Sequence, residues 1–388
     1  MELYKKHISD LGRVITGKTP RTSIKENYGG IIPFLTPSDN MSFKYAPRTT
    51  KTLSELGLKE VKSCLLPPSS ICVSCIGSDL GKVVMTTRET ITNQQINSII
   101  PNKDNDPDFI YYLMCIVGKH INALSKTSTA VPIINKSTFS EYEVYVPDKE
   151  NQTKIANILS SLDDKIELNR RINDNLEQQA QALFKSWFVD FEPWGGKMPS
   201  DWKEGTLSEM CRPLREKVCG KQNVKVLSPI TTGKLVLSEE YFTKQVYSEN
   251  IEKYIVVPHN AFAYNPARIN IGSIGMNEYD FCGCVSPVYV VFKCLEQYEY
   301  YFDLFRLTDK FKEEVKLRAI GGVRQSLGYE DFGKIQIVIP SSEAIKDFNR
   351  LYLNNLRMRH YYVEENAKLA QLRDTLLPRL MSGELKIS

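Results

Sequence analysis

Between Asn151 and Phe188 apolar and small polar positions recur with a regularity that sets this stretch apart from the rest of the chain. Ile155, Leu159, Leu162, Ile166, Asn169, Asn173, Leu176, Ala180, Leu183 and Trp187 are spaced alternately four and three residues apart, the seam of a coiled coil. No Gly or Pro interrupts it. At ~1.5 Å per residue the stretch predicts a rod of roughly 55 Å, which needs a partner along its length because a seam cannot be buried against itself. Asp148, after Pro147, is placed to cap its start. A second long helix is predicted from about Glu343 to Leu377, ending at Pro378. Its seam is less regular: Ile345, Phe348, Tyr352, Tyr362, Leu369 and Leu376, with Asn355 and Arg359 in the middle. Asn169 and Asn173 form the matching polar layer, of the kind that fixes register at some cost in stability.

Away from the helices the pattern changes to short alternating or β-branched runs bounded by Gly, Pro, Asn and Ser. LGRVITG, ICVSCIG, GKVVMTT and EYEVYVP precede the first long helix, with one further helix predicted over 106–124. KVLSPITT, YIVVPHNAFAYN, CVSPVYVVF and KIQIVIP precede the second. The Gly195-Gly196 pair and its neighbouring prolines mark a linker. The order of elements repeats after 190–195 residues: Phe139–Pro147 matches Phe332–Pro340, and Gly81-Lys82-Val83 matches Gly272-Ser273-Ile274. The fold class read from this is α+β. Two β-rich globular domains are separated by an antiparallel two-helix coiled coil, as an internal repeat with pseudo-two-fold character. The boundaries expected are 1–147, 148–190 for the first long helix, 191–340 for linker and second domain, and 341–388 for the last helix and tail.

Composition narrows the function classes. Charged residues make up 25% of the 388 and no apolar run approaches the ~18 residues of a membrane span, so no membrane partner is expected. The start, MELYKKHISDLG, has no apolar signal core, and the nine cysteines lack regular spacing. Both point to the cytoplasm and to reduced thiols. Cys72/Cys75 and Cys282/Cys284 read as ordinary strand cysteines, with no second pair to complete a metal site. Residues 1–150 carry 18 basic and 15 acidic side chains, residues 201–342 carry 18 of each, and the whole chain is +4. That balance permits nucleic-acid binding through local patches without requiring it.

Catalytic signatures are missing from the text. Gly12–Thr19, GRVITGKT, matches a phosphate-loop pattern, but polar KKHISDL precedes it and Pro20 follows where a helix should begin. Methyl-donor and dinucleotide loops are lacking, and Tyr264-Asn265-Pro266-Ala267 only approaches the tetrapeptide of amino-methyltransferases. The four histidines are scattered, with no nucleophile motif beside them. No catalytic residue, metal or cofactor is therefore expected.

The loops suit binding instead, mixing Lys and Arg with Ser, Thr, Asn and Gln, groups that bond phosphates and read base edges. In the first half they offer Lys18, Arg21, Ser38, Asn40, Lys44, Ser78, Lys82, Thr129 and Lys136. The second half offers Arg215, Lys217, Arg268, Asn270, Arg318, Arg324 and Gln325. Their occurrence in both copies is what separates them from ordinary solvated loops.

Two stretches resemble a known family. ILSSLDDKIELNRRINDNLEQQAQALFKSWFVDFEP (158–193) looks like the central conserved region, and LAQLRDTLLPRLMSGELKI (369–387) the C-terminal signature, of the specificity (S) subunit of type I restriction-modification systems. The resemblance implies a non-catalytic chain with two target recognition domains, each reading one half of a bipartite site in double-stranded DNA. It also implies that the helices space the readers and dock two methyltransferase (M) subunits, which flip and methylate adenine. ATP-dependent restriction (R) subunits would join to give the cleaving complex. The docking positions would be Ile155, Leu159, Leu162, Ile166, Leu176, Leu183 and Trp187 on the first helix, and Phe348, Tyr352, Leu369 and Leu376 on the second. Three other readings stay open: a pure scaffold, a nucleotide-dependent enzyme built on Gly12–Thr19, and a family member serving modification alone.

Overall fold

Two helices of 40 residues each, Lys149–Phe188 and Ser342–Met381, close the two halves of the chain in a computed structural model. It describes residues 1–46, 48–77, 80–125, 133–220, 224–242, 247–319 and 326–385. The chain divides into two compact units, Met1–Arg171 with Tyr361–Ser388, and Ile172–His360, so that each unit takes part of both long helices.

In the first unit the strands are β1 (Tyr4–His7), β2 (Gly12–Thr16), β3 (Tyr28–Leu35), β4 (Lys51–Leu53), β5 (Ile71–Ser74), β6 (Val83–Met85), β7 (Ile91–Thr92), β8 (Ile96–Pro101) and β9 (Glu143–Val146). They form a four-stranded antiparallel sheet β2-β8-β5-β6, a three-stranded sheet β4-β3-β7 and the pair β1-β9. The predicted helix forms as Pro107–Ser125 and packs on β5 and β6. Its Gly118 lies against Gly81: a Cβ on either would come within 2.2 Å of the other's carbonyl oxygen, so only glycine allows this approach.

In the second unit the strands are β10 (Lys203–Thr206), β11 (Cys211–Leu214), β12 (Lys225–Pro229), β13 (Leu235–Leu237), β14 (Ile255–Val257), β15 (Phe262–Tyr264), β16 (Ile274–Met276), β17 (Gly283–Val285), β18 (Val290–Cys294) and β19 (Gln336–Ile339). Their sheets are β11-β18-β15-β16, β13-β12-β17-β14 and the pair β10-β19. Sheet for sheet this is the topology of the first unit, with β14 added. Both three- and four-stranded side sheets even keep one parallel pair, β3 with β7 and β12 with β17. The internal repeat and the α+β class are therefore features of the fold. YIVVPHNAFAYN and CVSPVYVVF each break into two strands at their turn residues, where single strands were expected.

The first long helix starts at Lys149, capped as expected: the Asp148 carboxylate accepts from the Asn151 backbone N–H at 3.0 Å. That bond and the Asn151 side chain hold the Asp148 carboxyl below its ordinary value. Its buried stripe is Ile155, Leu159, Asp163, Ile166, Asn169, Leu176, Ala180, Phe184 and Phe188. Between Ile166 and Ala180 it follows the expected seam. Toward both ends the steps become fours, because the helix there lies on a globular core and keeps its natural period. Leu162, Leu183 and Trp187 are accordingly half-buried, and Asp163, Phe184 and Phe188 take the inward positions.

Within the first unit the two long helices run antiparallel, with Asp163 bonded to Arg373, and Asn169 to Asn366 at 2.9 Å. Within the second, Asn173 donates to the Arg359 carbonyl at 3.3 Å and Asn355 to the Leu176 carbonyl at 2.8 Å, again antiparallel. Of the expected Asn/Arg layer, Asn173, Asn355 and Arg359 come together in the second unit, whereas Asn169 is paired with Asn366 in the first. Ile155, Leu159, Leu377, Leu380 and Met381 enter the core of the first unit, and Phe184, Phe188, Ile345, Phe348 and Tyr352 that of the second. Leu369 and Leu376 are half-buried. The last helix does not stop at Pro378 but runs through it to Met381. Pro378 forfeits one hydrogen bond near the helix end, and the burial of Leu377, Leu380 and Met381 offsets it.

Candidate nucleic-acid interface

Strand register decides which loops meet. In the first unit Thr16 faces Asn97, Ser74 faces Ile96 and Val73 faces Val83, so β2, β5, β6 and β8 share one sheet end. The segments leaving that end begin at Gly17, Cys75 and Asn93. The segment after 132 joins them through the Ile134 N–H bonded to the Cys75 carbonyl at 3.0 Å. The stretch following β3 starts there too, since the Asn93 N–H donates to the Leu35 carbonyl at 3.0 Å. Lys18, Lys82, Lys136, Ser38 and Asn40 thus belong to loops gathered at one end of one sheet. Lys18 and Lys136 are exposed and have no ion-pair partner among the described residues. Ser38 and Asn40 build the turn, Asn40 accepting from the Ser42 N–H at 3.0 Å.

The second unit repeats the arrangement. Leu214 faces Val291, and Tyr264 faces both Val290 and Ile274. The loops leaving this end carry Arg215, Lys217, Arg268 and Asn270, all exposed. The Leu327 N–H bonds the Pro266 carbonyl at 3.1 Å and brings in the segment after 325. Arg268 lacks an ion-pair partner among the described residues and stands beside Tyr289. Burial raises the Tyr289 hydroxyl pKa, and the Arg268 charge opposes that rise.

Three predicted contacts are committed elsewhere. Lys44 is buried, with Nζ 2.5 Å from the Asp108 carboxylate and 2.8 Å from the Ser160 hydroxyl, beneath the rings of Tyr45 and Tyr112. Its segment docks on the first long helix rather than facing outward. Arg318 pairs with Glu314 at 3.0 Å and donates to the Lys334 carbonyl. Arg21 gives both its guanidinium and its backbone N–H to Glu60, and that backbone bond leads in lowering the Glu60 pKa. Ser78, Thr129, Arg324 and Gln325 lie outside the described residues.

The phosphate-loop look-alike is built for another purpose. Its Gly17 and Lys18 N–H groups are spent on the Ile96 and Thr92 carbonyls at 3.1 and 2.9 Å. A Cβ at Gly17 would meet the Asn93 carbonyl oxygen at 2.2 Å. Gly17 is there to seat one loop against another, and no helix begins at Lys18. Cys72 and Cys75 point into different apolar clusters, with burial pushing their thiols up to about 12 and about 11. Sequence reasoning missed the polar cluster of Tyr112, Asp163 and Arg373, whose one trace is an acidic pair, Asp163-Asp164, inside an apolar seam. It also missed a cavity of about 360 Å³ in the second unit, lined by Arg268 and several tyrosines. No helix among the described residues is long and apolar enough to cross a membrane.

Comparison with known proteins follows the same lines. Residues 2–178 match the family model of the type I restriction modification DNA specificity domain. The type I restriction enzyme MjaIX specificity subunit of Methanocaldococcus jannaschii is 27% identical over 98% of this chain and 93% of its own length. The HindI specificity subunit of Haemophilus influenzae is 39% identical over 44% of this chain and 38% of its own. The crystal structure of the type I restriction-modification S subunit from M. genitalium covers 100% of this chain and 97% of that one. It is 17% identical with a TM-score of 0.58, a likeness of fold.

Proposed function

We propose that the chain is a specificity subunit of a type I restriction-modification system, as its match to that family's domain model over residues 2–178 and its likeness to the MjaIX subunit support, and that each of its two units reads one half of a bipartite duplex site. One observation carries the proposal: the same end of the same four-stranded sheet, in both units, gathers the polar and basic loops. A reader needs cations for phosphates and amide or guanidinium groups for base edges, held on a rigid frame. Lys18 and Lys136 in the first unit, and Arg215, Lys217 and Arg268 in the second, are exposed and free to serve. The intervening bases are left unread, and the distance between the two half-sites is set by the long helices.

In this reading the chain is non-catalytic and takes no cofactor. Two methyltransferase subunits dock along its long helices, and restriction subunits join them to complete the nuclease. Exposed apolar side chains on the second helix, Leu351 and Met358 in one unit and Leu372 in the other, support a covered surface there. A cytoplasmic setting suits its free cysteines. The test is co-expression with the cognate methyltransferase subunit and mapping of modified bases across the host DNA. A split motif, two short blocks separated by a fixed unread run, is the expected result. A continuous motif, or no modification despite a formed complex, would overturn the two-reader reading.

A further inference from the structure

The cavity in the second unit has a chemistry that duplex reading by loops does not require. It is an open cleft of about 360 Å³, at the small end of ligand sites, with room for one planar ring system. Its lining combines aromatic side chains, Tyr241, Phe242 and Tyr289, with polar ones, Asn265, Arg268 and Ser286. Tyr289 packs one side on the apolar cluster around Leu227 and Val291 and makes no ring–ring contact among the described residues. The Asn265 carboxamide oxygen accepts from the Ala267 N–H at 3.0 Å, which orients the side chain and leaves its NH2 available. The loop itself is held by the Arg268 N–H on the Asn265 carbonyl at 3.0 Å and the Ser273 N–H on the Arg268 carbonyl at 3.1 Å.

Resting on the DNA-reading function, we infer that this cavity receives a single nucleobase rotated out of the duplex, stacked on Tyr289 and bonded at its edge by Arg268 and Asn265. A base inside a helix exposes only its groove edge, so stacking on a protein ring requires that it leave the stack. Planar donors beside an aromatic face are the combination that binds such a base, and a bare phosphate would have no use for the rings. The internal repeat shows that this is a specialisation of one copy. Register sets Ile96 of the first unit beside the position of Tyr289 in the second, and counting four residues on from the equivalent Val73 and Tyr264, across connections of equal length, sets Gly77 against Arg268. At those two positions the first unit has neither a ring nor a guanidinium.

The test needs no knowledge of the DNA site. The full chain is titrated with the four 2′-deoxynucleosides, read by saturation transfer to their base protons in NMR. At least one should show saturating transfer, and Arg268→Gln and Tyr289→Ala should each weaken it at least fivefold, with Tyr289→Phe retaining it. Arg268 is exposed, so its variant stays interpretable should Tyr289→Ala unfold. No base-proton transfer from any nucleoside, transfer unchanged in Arg268→Gln, or full displacement by inorganic phosphate would each overturn the proposal. A split methylation motif alongside any of those results leaves the two-reader function standing, and its absence counts against that function whatever the nucleosides do.

Discussion

Asp163 is buried and carries a carboxylate into an otherwise apolar stripe, so its partners decide whether the first unit is stable. It accepts from the Tyr112 hydroxyl at 2.6 Å and pairs with Arg373 at 2.5 Å. Burial, then the Asp163 charge, raises the Tyr112 phenol well above its ordinary value, so Tyr112 acts only as a neutral donor. Removing Arg373 leaves a buried carboxylate with that one neutral donor. Arg373→Ala should cost about 3–5 kcal/mol, read from the urea midpoint. Asp163→Leu combined with Arg373→Leu should cost less than the sum of its single changes, because the unpaired charge goes with its partner. An Arg373→Ala chain within ~0.5 kcal/mol of the parent would show that the pair is solvated and that the helix contact is made by packing alone.

At the scale of elements the contest is between a strict 3.5-residue seam and a helix that changes partners along its length. Ile166 is inward under both and Leu162 only under the first. Ile166→Ala should therefore cost about 2–5 kcal/mol, and Leu162→Ala clearly less, as measured by denaturant unfolding. Equal losses would restore the uniform seam. The long helices were legible because forty residues average out local noise, and their caps, Asp148 and the start after Pro340, are read from neighbours in sequence. The end at Pro378 was not legible, since the burial that carries the helix past it comes from a core assembled elsewhere in the chain. The four-residue helices Ile8–Leu11 and Leu207–Met210 are too short to leave a period. The binding loops were readable as composition, and strand register alone brings them together. Lys44 shows the limit: its partners Asp108 and Ser160 lie far along the chain, whereas the pairing of Arg318 with Glu314 stood at helical spacing.

For the whole molecule the question is how much DNA affinity this chain can supply alone. A net charge of +4 is small for 388 residues, and of the loop cations proposed as phosphate contacts Lys18, Lys136, Arg215 and Lys217 are exposed with no ion pair among the described residues, Arg268 being assigned to a base. Each neutralised phosphate contributes ~0.9 to the dependence of log affinity on log salt, so these four give a slope on the order of −4. Raising salt from about 50 to about 200 mM should then weaken binding by the isolated chain roughly 10²–10³-fold. On the proposed function, methyltransferase subunits that add cations along the same duplex should make the complex bind more tightly and with a steeper slope. Fluorescence anisotropy of one labelled duplex across a salt series, with the chain alone and in complex, compares the two directly. Equal affinity at matched salt would mean that this chain holds the DNA by itself. The loop cations counted here would then be too few, and the segments outside the described residues would have to supply the remainder.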